Sequence, residues 1–148
     1  MVSSALIALL LLMGGVEPNP GPVTPTLTVA TQNCRGLTNL SKALRVVNFF
    51  NEIKIKSKSA ALVMCLQETH VMNKFALDNK FQGTIVADEC STAQLGTVIL
   101  VDESLEVISQ LCSGSGRLAM VAVKSPMVRE TPSAVVVVNV YAPNSHSE

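Results

Sequence analysis

From Thr26 onward the apolar positions fall into a readable order. Leu27, Val29, Thr31 and Asn33 alternate with Thr28, Ala30 and Gln32, which predicts a half-buried strand ending at Asn33. Asn39 or Ser41 then caps a helix in which Leu40, Leu44, Val47, Phe50 and Ile53 recur three or four residues apart. Lys54, Lys56 and Lys58 suit the C-terminal end of its dipole and read as a solvated helix end. Ala60 to Leu66 is a continuous apolar run, the pattern of a strand buried on both faces, and it ends in Gln67-Glu68-Thr69-His70. Strands are expected again over 83–87, 96–101, 105–110, 117–123 and 134–141. Asp102-Glu103-Ser104 and Ser113-Gly114-Ser115-Gly116 make turns between them. The glycine-bearing turn is no phosphate cradle, because no helical pattern follows Gly116. Strand, helix, strand and a run of strands predict an α+β fold with a largely antiparallel sheet.

The first 25 residues differ in kind. Ala5–Met13 is an aliphatic run of nine residues, whereas a helix needs about 20 to cross a hydrocarbon core. No stable transmembrane span is expected. The run matches the apolar core of a secretory signal in length, but no basic side chain precedes it and no small-residue cleavage site follows. The chain therefore divides into a hydrophobic leader, 1–25, and a folded domain, 26–148.

Composition narrows the function. Of 148 residues, 48% are hydrophobic and 15% charged, which excludes a disordered chain. The formal net charge is zero, so the basic footprint of a free-standing nucleic-acid binder is missing. With no Trp and one Tyr, base stacking on exposed rings is excluded as the main mode of binding. The cysteines at 34, 65, 90 and 112 have no close-pair spacing for zinc. Cys65, inside an apolar run, reads as a small core hydrophobe, and the four together read as reduced intracellular thiols.

The end of the leader reads Gly15-Val16-Glu17-Pro18-Asn19-Pro20-Gly21-Pro22. It resembles the end of a 2A-like ribosome-skipping peptide, in which D-V/I-E-x-N-P-G-P follows a leucine-rich stretch. Glu17, Asn19, Pro20, Gly21 and Pro22 match, and Gly15 stands where the family has Asp. The resemblance implies failed joining of Gly21 to Pro22 while the leader sits in the ribosome exit tunnel. The Gly15 departure predicts weakened or lost skipping. The plainer reading of this segment is a Pro/Gly-rich linker.

Asn33, Glu68 and Tyr141 are polar residues at the ends of apolar strands. Alternation places Glu68 in line with Leu62, Met64 and Leu66, so that its carboxylate emerges where a buried face meets the sheet edge. A carboxylate beside an amide offers hard oxygen donors for Mg²⁺, which keeps several waters and takes one or two protein carboxylates. Position alone also fits residues that merely begin a loop.

The words around these residues say more. Thr31-Gln32-Asn33-Cys34-Arg35-Gly36-Leu37, Leu66-Gln67-Glu68-Thr69-His70, Gly96-Thr97-Val98-Ile99-Leu100 and Asn139-Val140-Tyr141-Ala142-Pro143-Asn144 follow in that order. Together they resemble the endonuclease/exonuclease/phosphatase superfamily, most closely the apurinic-endonuclease-like domain of non-LTR retrotransposons. The resemblance spans residues 26–144. It implies half of a four-layer α/β/β/α sandwich, Mg²⁺ (or Mn²⁺ in its place), and DNA as the partner of the full-length parent. Residue by residue, it implies Glu68 as the direct metal ligand and Asn33 as the residue that orients the metal site. It places Tyr141 near the scissile phosphate and Asn144 in the ordered turn of its motif. His70 sits where the family varies between His and Trp, so a structural or substrate-lining role is expected of it. His146 is expected in a loose tail.

The family's later G-D-F-N and S-D-H words, which supply an Asp, an Asn and the catalytic His, do not occur in this sequence. The resemblance therefore implies an N-terminal portion of a nuclease, inactive by itself, whose domain is completed by a missing C-terminal half. It is expected to supply one sheet whose inner face lacks a partner. Two other functions compete. One is a non-catalytic, secreted or membrane-directed fragment governed by its leader, for which a glycan at the Asn39-Leu40-Ser41 sequon would be diagnostic. The other is a phosphatase or phosphodiesterase of the same superfamily. An intracellular, nuclear location is expected for the parent element if skipping occurs, and the secretory pathway if the leader is retained.

Overall fold

A computed structural model of the chain describes residues 26–70, 77–89, 95–124 and 134–142. Among these residues, seven strands and one long helix follow the order β1 (Leu27–Asn33), α1 (Leu40–Ser57), β2 (Ala61–Gln67), β3 (Gly83–Asp88), β4 (Thr97–Asp102), β5 (Val107–Cys112), β6 (Leu118–Lys124) and β7 (Ala134–Val140). They form a four-stranded sheet of order β1-β2-β4-β3 and a three-stranded sheet of order β5-β6-β7. Only β1 and β2 pair in parallel, and α1 supplies the crossover that parallel neighbours require.

Helix α1 begins where Asn39 accepts a hydrogen bond from the Ser41 amide at 2.7 Å, and it ends at Lys58 in a left-handed conformation. Its buried face is Ala43, Val46, Val47 and Phe50. Leu40, expected on that face, is exposed, because the stripe is rotated by about one residue. The helix lies against Leu62, Met64 and Leu66 of β2 and Val98 and Leu100 of β4. Phe50 meets Phe81 edge to face, with ring centroids 4.9 Å apart. Lys54 is not simply solvated: its ammonium lies 2.7 Å from the buried Asp102 carboxylate at the end of β4.

The other face of the four-stranded sheet carries Ala61, Val63, Cys65, Val86, Ile99 and Val101. It packs on Ala119, Val121, Val123 and Val137 of the second sheet. The expectation of a single sheet with a bare inner face is thus corrected. The chain turns at Asp102–Leu105 and builds the second sheet itself, so both inner faces are covered. Among the described residues, the outer face of the second sheet leaves apolar surface open, with Ile108, Leu111, Val136, Val138 and Val140 about half exposed.

β1 departs from its expected alternation as well. Ala30 packs toward the helix-side core and Leu27 toward the inter-sheet core, while Val29 is exposed. As an edge strand, β1 gains burial on one flank only.

Candidate functional site

Parallel register brings the ends of β1 and β2 side by side, with Asn33 opposite Gln67. The two segments stay zipped beyond the strands. The amides of Cys34, Gly36 and Leu37 donate to the carbonyls of Gln67, Glu68 and Thr69 at 2.9, 2.7 and 2.8 Å. This contact bends the backbone sharply. Arg35, Glu68 and His70 all have left-handed φ, at 48°, 52° and 57°. Such a conformation in a residue other than glycine costs on the order of 1–3 kcal/mol and persists only where surrounding contacts fix it. Gly36, at φ 90°, has no such cost, and a Cβ there would lie 2.9 Å from His70 Nδ1. His70 therefore packs over Gly36, in keeping with a structural role.

The left-handed turn at Glu68 breaks the alternation that would have carried its carboxylate to the helix side. Asn33 Nδ2 donates to Glu68 Oε1 at 2.7 Å, while Asn33 Oδ1 accepts the Arg35 amide at 3.1 Å. The Arg35 N–H demands an oxygen, which fixes the orientation of the Asn33 amide. Tyr141 arrives from the second sheet, its backbone N–H held by the Arg117 carbonyl at 2.8 Å. Its side chain lies within electrostatic reach of the Glu68 carboxylate. Burial and the neighbouring Glu68 carboxylate push the phenol above its usual range, against the opposing pull of Arg117. Tyr141 is therefore a neutral donor at neutral pH. The three residues expected to act together are therefore neighbours, Asn33 bonded to Glu68 and Tyr141 within reach of its charge.

One layer below lies a polar group that strand pattern did not reveal. The Gln67 amide donates to Asn139 Oδ1 at 2.6 Å and to Thr31 Oγ1 at 2.9 Å. Asn139 Nδ2 donates to the Leu66 and Val98 carbonyls at 2.9 and 3.0 Å. Thr97, next to Val98, is fully buried and its hydroxyl has no partner. At the second sheet's turn, the buried Asp88 accepts from Ser113 Oγ at 2.7 Å, the Gly114 amide at 2.6 Å and the Leu118 amide at 3.1 Å. The Gly96 amide adds a bond to the Gly116 carbonyl at 2.9 Å. Asp88 thereby secures the turn whose Arg117 holds Tyr141.

The cationic groups Arg117 and Lys42 lie near the site. Lys42 Nζ donates to the Arg35 carbonyl at 3.1 Å. Burial raises the Cys34 thiol to about 12, Lys42 opposing and Glu68 reinforcing the rise, so Cys34 is a neutral thiol. Cys34, Cys65 and Cys112 are all free.

Among the described residues no cluster of three or more His, Cys, Asp or Glu side chains could hold a metal. That donor set fits neither zinc nor a protein-caged calcium. A single carboxylate at a strand end does fit Mg²⁺ carrying most of its own water. Because Asn33 turns its NH₂ toward Glu68, it is placed to orient the carboxylate and not to bind metal directly in this arrangement. Asn144 and His146, and the leader residues Glu17, Asn19, Pro20, Gly21 and Pro22, lie outside the described residues.

Compared with known proteins, the chain matches no family model and no curated protein sequence.

Proposed function

We propose that residues 26–144 form the metal-holding portion of a Mg²⁺-dependent DNA endonuclease site of the endonuclease/exonuclease/phosphatase kind, completed by an Asp and a His that this sequence does not supply. The observation that carries this reading is the Asn33–Glu68 hydrogen bond at 2.7 Å, with Tyr141 in electrostatic reach of the same carboxylate. Those three come from two sheets and three separate sequence words. In this reading the fold is part of a four-layer sandwich, whose fourth layer would cover the outer face of the second sheet.

Glu68 would hold the ion through one oxygen, with Asn33 restraining the other contacts of the carboxylate. Bound Mg²⁺ would offset the negative charge that builds on a phosphodiester during attack by water. The Tyr141 hydroxyl, kept protonated, can donate to a phosphate oxygen once the ion competes for Glu68. Arg117 and Lys42 supply positive charge locally on a chain whose formal net charge is zero.

The transcript in frame beyond codon 148 tests the reading. It should encode G-D-F-N and then S-D-H, and the extended protein should nick supercoiled DNA in the presence of Mg²⁺. Glu68→Gln in that protein should lower the rate by several orders of magnitude, as loss of a catalytic group does in other hydrolases. Full nicking activity in the Glu68→Gln protein would overturn it.

A further inference from the structure

Asn33, Glu68 and Tyr141 each follow closely on one member of the polar row that runs from buried Asn139 through Gln67 to exposed Thr31. Thr31 lies two residues before Asn33, Gln67 immediately before Glu68, and Asn139 two residues before Tyr141. We propose that Thr31, Gln67 and Asn139, joined in a hydrogen-bonded row across β1, β2 and β7, are positioning residues that set the gap between Glu68 and Tyr141. The role rests on the metal-site reading for its purpose, but not for its geometry.

The gap needs setting because its two sides belong to different sheets. Apart from this row and the Asp88 bonds at the end of β3, the sheet faces meet through Val, Ile, Ala and Cys side chains, whose packing is non-directional and tolerates small sliding. Hydrogen bonds fix both distance and angle. Asn139 uses its whole amide: two donors go to the carbonyls of β2 and β4, and its oxygen accepts from Gln67. Gln67 passes the restraint to Thr31, two residues from Asn33. An apolar residue at 139 could pack beside Val137 without desolvating an amide. The polar row is thus the costlier solution for stability alone, and its return is a fixed register at the site.

Tyr141 is the one tyrosine in the chain and there is no tryptophan, so tyrosine emission reports this ring alone. A carboxylate close to a phenol quenches its emission, and Glu68→Gln defines the emission when that charge is removed. Gln67→Met removes the link between Asn139 and Thr31, yet leaves the two Asn139 bonds to β2 and β4. Folded Gln67→Met, checked by a cooperative melt, should show emission at least halfway from the parent value to that of Glu68→Gln. Thr31→Val, at an exposed position, should show a smaller rise and keeps the test decisive if Gln67→Met does not fold. Emission at the parent value in either folded variant overturns the positioning role. Failure of the metal reading would look different. Parent emission would then not respond to added Mg²⁺, while the variants still brightened in metal-free buffer.

Discussion

Replacing Asp88 by Asn should destabilise the protein by more than the loss of one surface charge. Asp88 is 2% exposed. One of its oxygens accepts the Gly114 amide, and the other accepts both Ser113 Oγ and the Leu118 amide. An Asn side chain must turn its NH₂ toward one of these groups. Ser113 can rotate and become an acceptor, but a backbone amide cannot. Either Gly114 or Leu118 is then left without a partner, at a cost of roughly 1–3 kcal/mol for a buried donor. The remaining bonds also lose charge assistance, on the order of 1 kcal/mol each. Relief of the buried charge offsets part of this, leaving a net loss of roughly 2–4 kcal/mol. Urea denaturation at pH 7 would measure it as a lower midpoint with an unchanged slope. Acid gives a second handle. Burial raises the Asp88 pKa, but Ser113 and the backbone amides of Leu118, Gly114 and Arg117 outweigh it and lower the value below 3.8. The folded pKa is depressed, so the stabilisation is fully present above the unfolded value and is lost as pH falls through the folded one. The gap between parent and Asp88→Asn should therefore narrow below about pH 4. A variant within about 0.5 kcal/mol of the parent at pH 7 would refute the reasoning.

Gly36→Ala should cost about 1–3 kcal/mol, because alanine disfavours a left-handed backbone. It should also shift the His70 ring resonances, since the added methyl would lie 2.9 Å from Nδ1; unchanged His70 signals would argue against the packing. Lys54→Met leaves the Asp102 carboxylate with Ser104 as its remaining partner. Breaking a fully buried pair costs about 3–5 kcal/mol, and partial exposure of Lys54 brings the expectation to about 2 kcal/mol by thermal or urea melts. The Asp102 pKa is lowered by Lys54 and Ser104 against the effect of burial. The stabilisation by this pair should therefore be lost as pH falls through the depressed folded value, a loss absent from Lys54→Met.

The elements legible in the sequence were those whose neighbours enforce one pattern. The run at Ala61–Leu66 is apolar at every position because a helix covers one face of β2 and a second sheet the other. The helix start is legible in the pair of capping candidates Asn39 and Ser41, of which Asn39 is the cap, while its buried stripe is rotated from the expected one. The division into two sheets was not legible. In β6, Leu118, Met120 and Ala122 are as apolar as the inward Ala119, Val121 and Val123, so alternation carries no information about which face is covered. The site showed the same division. Asn33, Glu68 and Tyr141 could be marked as polar ends of apolar strands. Their meeting depends on left-handed turns at Arg35 and Glu68, which no local residue preference announces. Asn139 and Asp88 were missed because one polar residue in or at the end of an apolar strand looks like the start of a loop until its partners, 72 and 26 residues away for Gln67 and Gly114, are in place.

Paramagnetic broadening by Mn²⁺ of the side-chain NMR signals is the most direct test of whether Glu68 centres a divalent-cation site. The Asn33 side-chain amide and the Tyr141 ring should broaden first on titration, and Glu68→Gln should abolish the effect without changing the fold. Broadening centred on exposed acids such as Glu52 or Glu106, or unchanged in Glu68→Gln, would contradict the proposed site.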